Sequence, residues 1–320
     1  MTTSDLKIMQ QWSLERKINV SLTRIQEWYY RFNGKVYVSF SGGKDSTVLL
    51  DLVRRAFPEV PAVYIQTGME YPDVLDFIKG IENVQYIKPV RYIKKLKQYQ
   101  SITFKDVLKE YGFCYPYKDA AYTIYYAQKG SKWAINKMNG LDKNGNYSEY
   151  NQRYIKYKDL IDSPFKISHK CCEVMKELPS KIFERQSGLK PMVALLADES
   201  SRRLQAWLRT GCNAFDVQRP ISKPLSFWTE QDILEYLYVT GIDYASVYGK
   251  IYKTDNNKYC TSGLKRTGCV FCPIGSCNNK INNYQILKRM APKLYAYCLA
   301  DEKDGGLGMK EFLDYFHIPY

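Results

Sequence analysis

Two patterns in this chain carry residue types that do chemistry. The first is Ser41-Gly42-Gly43-Lys44-Asp45-Ser46, set where the apolar run Val36-Tyr37-Val38-Ser39-Phe40 gives way to a helical pattern from Thr47 to Phe57. Adjacent glycines let the backbone turn tightly and bring N–H groups against an anion, and a helix beginning near Asp45 adds the positive end of its dipole. Ser41, Ser46 and Thr47 offer hydroxyl donors, Lys44 offers charge, and Ser39 closes the strand in front. This is the makeup of a phosphate cradle, though not of the loop with four residues between its first Gly and Gly-Lys-Ser/Thr.

The second pattern is sulfur. Cys171-Cys172 and Cys269-Val270-Phe271-Cys272 are two thiol pairs with 96 residues between them. They can share a metal centre only if the fold joins them. Adjacent cysteines project in different directions, which suits a bulky iron–sulfur cluster better than one zinc ion, whose ligands converge to about 2.3 Å. Lys170, Lys176, Lys265 and Arg266 flank the pairs and would offset four thiolates. Cys277 and Cys260 lie close enough in sequence to substitute as ligands, while Cys114, Cys212 and Cys298 read as buried hydrophobes.

The elements that must position these groups follow from periodicity. Leu14, Ile18, Leu22, Ile25 and Tyr29 step by three and four, predicting an amphipathic helix that covers a sheet edge. Ala62 to Gln66 reads as a second strand with Thr67-Gly68-Met69-Glu70-Tyr71-Pro72-Asp73 at its C-terminal end. A further strand, Met192 to Ala197, precedes Asp198-Glu199-Ser200-Ser201-Arg202-Arg203. Ligands of open α/β sheets bind at such strand ends. Thr229-Glu230-Gln231-Asp232 predicts a capped helix start. Lys88, Arg91, Lys94, Lys95 and Lys97 read as a solvated helix face, or less favourably as a nucleic-acid groove. From about 118 to 160 the chain is rich in Tyr, Lys, Asn and Gly, an insertion whose tyrosines pack onto their host or offer a stacking surface for single strands.

Composition bounds the rest. With 320 residues and 45% apolar content, an α/β domain with a smaller appendage is expected. No apolar stretch approaches the ~20 residues of a membrane span and the N-terminal residues do not read as a signal peptide, so a cytoplasmic protein without membrane contact is expected. Nine cysteines in such a chain point to metal or redox work rather than a disulfide framework. A net charge of +14 suits a polyanionic partner, nucleotide or nucleic acid.

The hexapeptide SGGKDS resembles the PP-loop of the adenine nucleotide α-hydrolases, which include N-type ATP pyrophosphatases and the phosphoadenylyl-sulfate (PAPS) reductase family. The likeness extends through TGMEYP, EYGF, the Cys171-Cys172 pair, ADES with Arg203, SKPLSFW and RTGCVFC, from about Lys35 to Cys298. It implies a doubly wound, mostly parallel α/β sheet with a helical, cysteine-containing C-terminal part. On this reading 1–33 is an N-terminal helical segment, 34–205 the nucleotide-binding domain and 206–320 the helical part carrying CxxC. It further implies that Ser39, Ser41, Gly42, Gly43, Lys44, Asp45, Ser46, Thr67, Gly68, Glu199 and Ser200 bind an adenine nucleotide, ATP or PAPS/APS, with Lys44, Asp45 and Arg203 catalytic. Cys171, Cys172, Cys269 and Cys272 match the 4Fe–4S site of APS-using reductases.

Two departures bear on activity. Reductases of the family carry a C-terminal Glu-Cys-Gly-x-His whose cysteine attacks sulfur, whereas no cysteine follows Cys298 here; and Leu196-Ala197 stand where an arginine pair holds the sulfonate. Without nucleophile and clamp, the chemistry implied is ATP- and Mg²⁺-dependent attack at the α-phosphate, pyrophosphate release and sulfur transfer, as in the DNA phosphorothioation proteins the chain also resembles. A sulfur donor or thiol reductant protein and a nucleic-acid acceptor are the partners this implies. The alternatives are a sulfonucleotide reductase borrowing Cys298 or Cys277, and a non-catalytic nucleotide or nucleic-acid binder with a structural cluster.

Overall fold

The computed structural model describes residues 1–93, 97–274, 276 and 282–320. Strands are numbered along the chain: β1 Val36–Ser39, β2 Ala62–Ile65, β3 Val84–Ile87, β4 Val90–Ile93, β5 Gln98–Ser101, β6 Lys190–Val193, β7 Asn213–Ala214, β8 Ile221–Ser222, β9 Ile251–Lys253 and β10 Tyr259–Thr261. Six form one sheet in the order β3-β2-β1-β6-β8-β7. Every neighbouring pair is parallel except the β7–β8 edge. The sheet is thus mostly parallel with flanking helices. Val36, Tyr37 and Val38 are all buried, the pattern of a strand covered on both faces.

Two compact units share the chain. The first comprises 1–66, 71–87 and 180–267, the second 67–70, 88–179 and 268–320. These boundaries do not follow the expected 34–205 and 206–320. Strand β8 pairs with β6, and the helix Glu230–Thr240 packs on the helix Lys44–Ala56, so the stretch after 206 completes the first unit's core. The opening helical segment also belongs to that unit.

That segment differs from expectation in an instructive way. The helix Leu14–Arg31 forms, with Ser13 as its cap, yet its fully buried stripe is Lys17, Ser21, Ile25 and Trp28. Polar groups hold the centre because they have partners. Lys17 Nζ lies 2.6 Å from both Asp232 carboxylate oxygens, and Ser21 donates to the Pro224 carbonyl while accepting from Trp228 Nε1. The predicted cap at Thr229 is present, its hydroxyl accepting from the Asp232 amide, so one carboxylate serves both cap and ion pair.

In the second unit the basic run after Lys88 is a strand, β4, paired antiparallel with β5, rather than a helix face. Arg91 there binds Glu110 at 2.6 Å; Lys94 and Lys95 lie outside the described residues. The tyrosine-rich insertion is ordered as the helices Lys118–Ala127 and Lys132–Met138 and the 3₁₀ turns Glu149–Asp162. Ala120, Ala121, Ile124, Ala134, Met138 and Tyr154 form its core, and small alanines let the helices approach closely. Tyr147 and Tyr150 stay exposed. The helices Asn283–Met290, Pro292–Leu299 and Met309–Tyr315 supply the helical C-terminal part. No described helix is long and apolar enough to cross a membrane.

Candidate functional site

In the first unit β1 and β6 are neighbours, but the chain leaves β1 toward β2 and β3 and leaves β6 toward β8 and β7. Connections that diverge from adjacent parallel strands leave a crevice at their C-terminal ends. Ser41–Ser46 follows β1, and Asp198–Arg203 follows β6. Strand β6 ends at Val193, short of the expected Ala197, and Ala197–Glu199 forms a 3₁₀ turn that re-aims the acidic and basic residues.

The loop is built as its residue types require. Gly42 sits at φ +69°, and a Cβ there would come within 2.7 Å of Ile78. Gly43 caps the helix Lys44–Ala56 in extended conformation, without a side-chain hydrogen bond to the first turn. The hydroxyls expected to meet a ligand have another task. Ser46 and Thr47 donate to the Gly43 carbonyl at 2.8 and 3.1 Å, and Ser41 Oγ lies 3.1 Å from Ser46 Oγ, clamping the turn.

Lys44, 3% exposed, reaches Asp45 at 3.4 Å and Glu230 at 3.2 Å. Asp45 Oδ1 is buried and faces the Lys44 ammonium at 3.4 Å, without a hydrogen bond. Two residues that sequence reasoning missed complete the rim. Tyr248 accepts from the Lys44 amide at 3.1 Å and shares a 2.7 Å hydrogen bond with Thr267. A lone tyrosine two hundred residues from the loop gives no sequence signal.

Arg203 pairs with Glu199, whose other oxygen takes Arg266 at 3.2 Å. Burial and then Arg266 pull the Arg203 guanidinium below its ordinary value, while Asp45 opposes them. Arg203 and Asp45 therefore feel one another. Arg266, expected to offset the thiols, also belongs to this cluster through its ion pair with Glu199. Ser200 caps the helix Ser201–Thr210, its hydroxyl accepting from the Arg203 amide. Thr67 and Gly68 belong to the second unit, where Thr67 donates to Glu70 at 2.5 Å.

The second unit contains all four expected cysteine ligands. Cys171 and Cys172 lie on a short helical turn that widens at Glu173–Glu177 into a π-helical turn. Cys269 and Cys272 close a turn with the Cys272 amide donating to the Cys269 carbonyl, and Tyr284 donates to the Phe271 carbonyl within it. Burial first, then Cys172, Cys269 and Cys272, push the Cys171 thiol up; burial and Cys269 do the same to Cys272, to about 12. The four thiols, all partly buried, are thus near enough to feel one another. Lys176 is its cation, held well above its ordinary value chiefly by Cys269, to which it is hydrogen-bonded.

Among the described residues no three His, Cys, Asp or Glu side chains are placed around a single metal ion. Cys260 lies on β10 of the first unit, and Cys277 is outside the described residues. Cys114, Cys212 and Cys298 are buried as expected. Cys298 is wholly buried against Met309 with its thiol pushed up to about 12 by burial, a poor setting for a borrowed nucleophile.

Residues 35–135 match the family model of the phosphoadenosine phosphosulfate reductase domain. The chain is 25% identical over 263 residues to the uncharacterized protein MJ0973 of Methanocaldococcus jannaschii, covering 81% of this chain and 46% of that protein. A second uncharacterized protein of that organism, MJ0066, is 34% identical over 89 residues, 28% of this chain and 17% of its own length. The chain thus spans less than half of either relative. Among solved structures it is similar to a PAPS reductase from Candida auris in its phosphate complex, with 11% identity, TM-score 0.39, and coverage of 77% of this chain and 90% of that one. It is likewise similar to the FMN adenylyltransferase of Candida glabrata in complex with ATP, with 12% identity, TM-score 0.39, and coverage of 76% and 64%.

Proposed function

We propose, from the match of residues 35–135 to the phosphoadenosine phosphosulfate reductase domain, that the chain binds an adenine nucleotide and is an ATP-using PP-loop enzyme. It attacks ATP at the α-phosphate, releases pyrophosphate and transfers sulfur or otherwise modifies the activated acceptor. The observation that carries this reading is the meeting, at the ends of β1 and β6, of the Gly42-Gly43 loop, the Lys44–Asp45 pair and the Arg203–Glu199–Arg266 group.

In this reading the loop amides and the helix start receive phosphate oxygens, and Gly42 is needed because any side chain would collide with Ile78. Asp45 would hold Mg²⁺ through its carboxylate, the hard oxygen donor beside the loop, in place of its 3.4 Å contact with Lys44. Mg²⁺, when bound, neutralises charge on the leaving pyrophosphate. Lys44 and Arg203 stabilise the negative charge that grows on the phosphoryl oxygens. An acceptor oxygen bonds to the α-phosphorus as the bond to pyrophosphate breaks. Sulfide-level sulfur then displaces AMP, so no oxidant or reductant enters.

The thiol region fits an iron–sulfur cluster in the chemistry of its donors. Four partly buried cysteines feel one another, and Lys176 stands beside them to offset their charge. Cys171, Cys172, Cys269 and Cys272 would hold it, and the cluster would supply either a structural staple or a carrier for sulfur. The reductase alternative gains nothing from Cys298, which is enclosed.

The deciding experiment is anaerobic incubation with ATP and with PAPS in parallel, with Mg²⁺, sulfide and mixed nucleic acid. Pyrophosphate from ATP supports the proposal. Sulfite from PAPS, without pyrophosphate from ATP, overturns it in favour of reduction.

A further inference from the structure

Cys114 reads as a core residue in the sequence, and the fold sets it among the thiols of the second unit. Phe113 forms a parallel bridge with Ile167: its amide donates to the Lys166 carbonyl at 2.9 Å, and its carbonyl accepts from the Ser168 amide at 2.8 Å. That ladder holds Cys114 beside the segment that runs into Lys170-Cys171-Cys172. The helix Phe104–Tyr111, which leads into the bridge, packs on the turn Lys170–Cys172. Its Phe104 ring stacks on Phe271, inside the Cys269–Cys272 turn, with centroids 5.8 Å apart and planes 16° from parallel. Cys114 is therefore tied by its backbone to one thiol pair and by the helix before it to the other.

Cys114 and Cys171 stand in matching surroundings. Cys114 belongs to the apolar cluster of the insertion, with Ala121, Ile124 and Tyr154, and Cys171 packs against the same cluster. Both have Cys172, Cys269 and Cys272 as electrostatic neighbours. Successive side chains on a helical turn point about 100° apart, so Cys171 and Cys172 do not aim at one point. Cys172 has Cys269 as its leading thiol neighbour, whereas Cys171 leans on the insertion's core. Lys118 acts on both Cys114 and Cys172 and bonds Glu177 at 2.7 Å, a cation placed to offset thiolates at these two positions. Among the described residues the thiols are not arranged around a single ion, so the final choice of ligands falls to rotation of each cysteine about its one side-chain bond.

A 4Fe–4S cluster takes four thiolates, and this region offers five thiols. We infer that Cys114 is an alternative ligand of the metal centre, taking the same corner as Cys171 while Cys172, Cys269 and Cys272 hold the other three. The inference rests on the reading of the thiols as an iron–sulfur site and adds a ligand from outside the CC and CxxC pairs. Exchange at that corner breaks one bond from iron to a cysteine sulfur and forms another. The incoming thiol gives its proton to the outgoing thiolate, so neither charge nor oxidation state changes.

The parent, Cys114→Ala, Cys171→Ala and the variant carrying both changes are purified without oxygen. Iron and acid-labile sulfide per chain are measured, and the electron paramagnetic resonance spectrum is recorded after reduction with dithionite. Each single variant should hold iron and sulfide at the parent's stoichiometry, and the two spectra should differ, because a different thiolate completes each cluster. The double variant should lose both elements. Cys114→Val in the Cys171→Ala background fills the space that an alanine leaves in the core and should lose them too, which separates a missing ligand from a weakened fold. Loss of iron from Cys171→Ala alone would leave Cys114 a core residue and overturn the inference, as would loss from Cys114→Ala alone, which would make that thiol obligatory. Iron retained in the double variant would show that neither thiol is a ligand and would overturn it as well. A parent without iron removes the cluster reading itself, and this inference falls with it.

Discussion

The loop of the first unit and the thiols of the second solve opposite electrostatic problems. Around Ser41–Ser46 charges of both signs alternate, Lys44 between Asp45 and Glu230, Glu199 between Arg203 and Arg266, so that each buried charge has a partner. Around the cysteines the groups are of one kind, partly buried, their pKa values raised by burial and then by one another, with Lys176 as the cation bonded among them. A partnered polar network is stable without a guest and can exchange one. A set of thiols stays protonated because its thiolates would repel, and a metal that binds as thiolates form would remove that conflict. The first region is therefore read as the place of turnover and the second as a place of permanent occupancy.

The sharpest way to break that contrast is to remove a thiol. Cys172→Ser or Cys269→Ser should abolish iron and acid-labile sulfide in anaerobically purified protein, while binding of a non-hydrolysable ATP analogue persists. Loss of both properties together would show that the two regions are not separable. Next comes Asp45→Ala. Pyrophosphate release should fall by about 10²–10³, the usual consequence of deleting one charge-stabilising group, with iron content unchanged; a variant that still releases pyrophosphate at the parental rate would put the chemistry elsewhere.

Stability of the loop unit offers a third test. Lys17→Met leaves Asp232 buried without its cation and should cost about 3–5 kcal/mol in urea unfolding. The double variant with Asp232→Leu should recover part of that, while losing the Thr229 cap that Asp232 also serves. The smallest effect is expected at Tyr248. Tyr248→Phe should cost about 1 kcal/mol for its hydrogen bonds to the Lys44 amide and Thr267. It should also tighten ATP binding in calorimetry, because the amide is freed for phosphate. Weaker binding would mean that the phenol itself touches the nucleotide.

Local chemistry was readable wherever neighbours in sequence are neighbours in space. The glycine pair, the strand before it and the helix after it are consecutive residues, and Gly42 adopts the left-handed φ that its type permits. The Thr229 cap is a four-residue matter and appeared as read. Periodicity misled where a tertiary partner outweighed it. Lys17 and Ser21 occupy the centre of a helix face that apolar spacing assigned to Leu14, Ile18 and Leu22, since Asp232, Pro224 and Trp228 satisfy them from more than two hundred residues away. In the insertion, tyrosines concealed the helical repeat of the alanines that form its core.

Sequence by itself determined the glycine loop between strand and helix, the two thiol pairs and the parallel α/β architecture, because each depends on residue type and short spacing. Tertiary structure alone decided that the unit boundaries cross the expected domains, that Arg266 meets Glu199, and that Tyr248 reaches the loop. Those outcomes rest on which distant segments exclude water from one another, and a pairing of that kind leaves no pattern in the residues on either side of it.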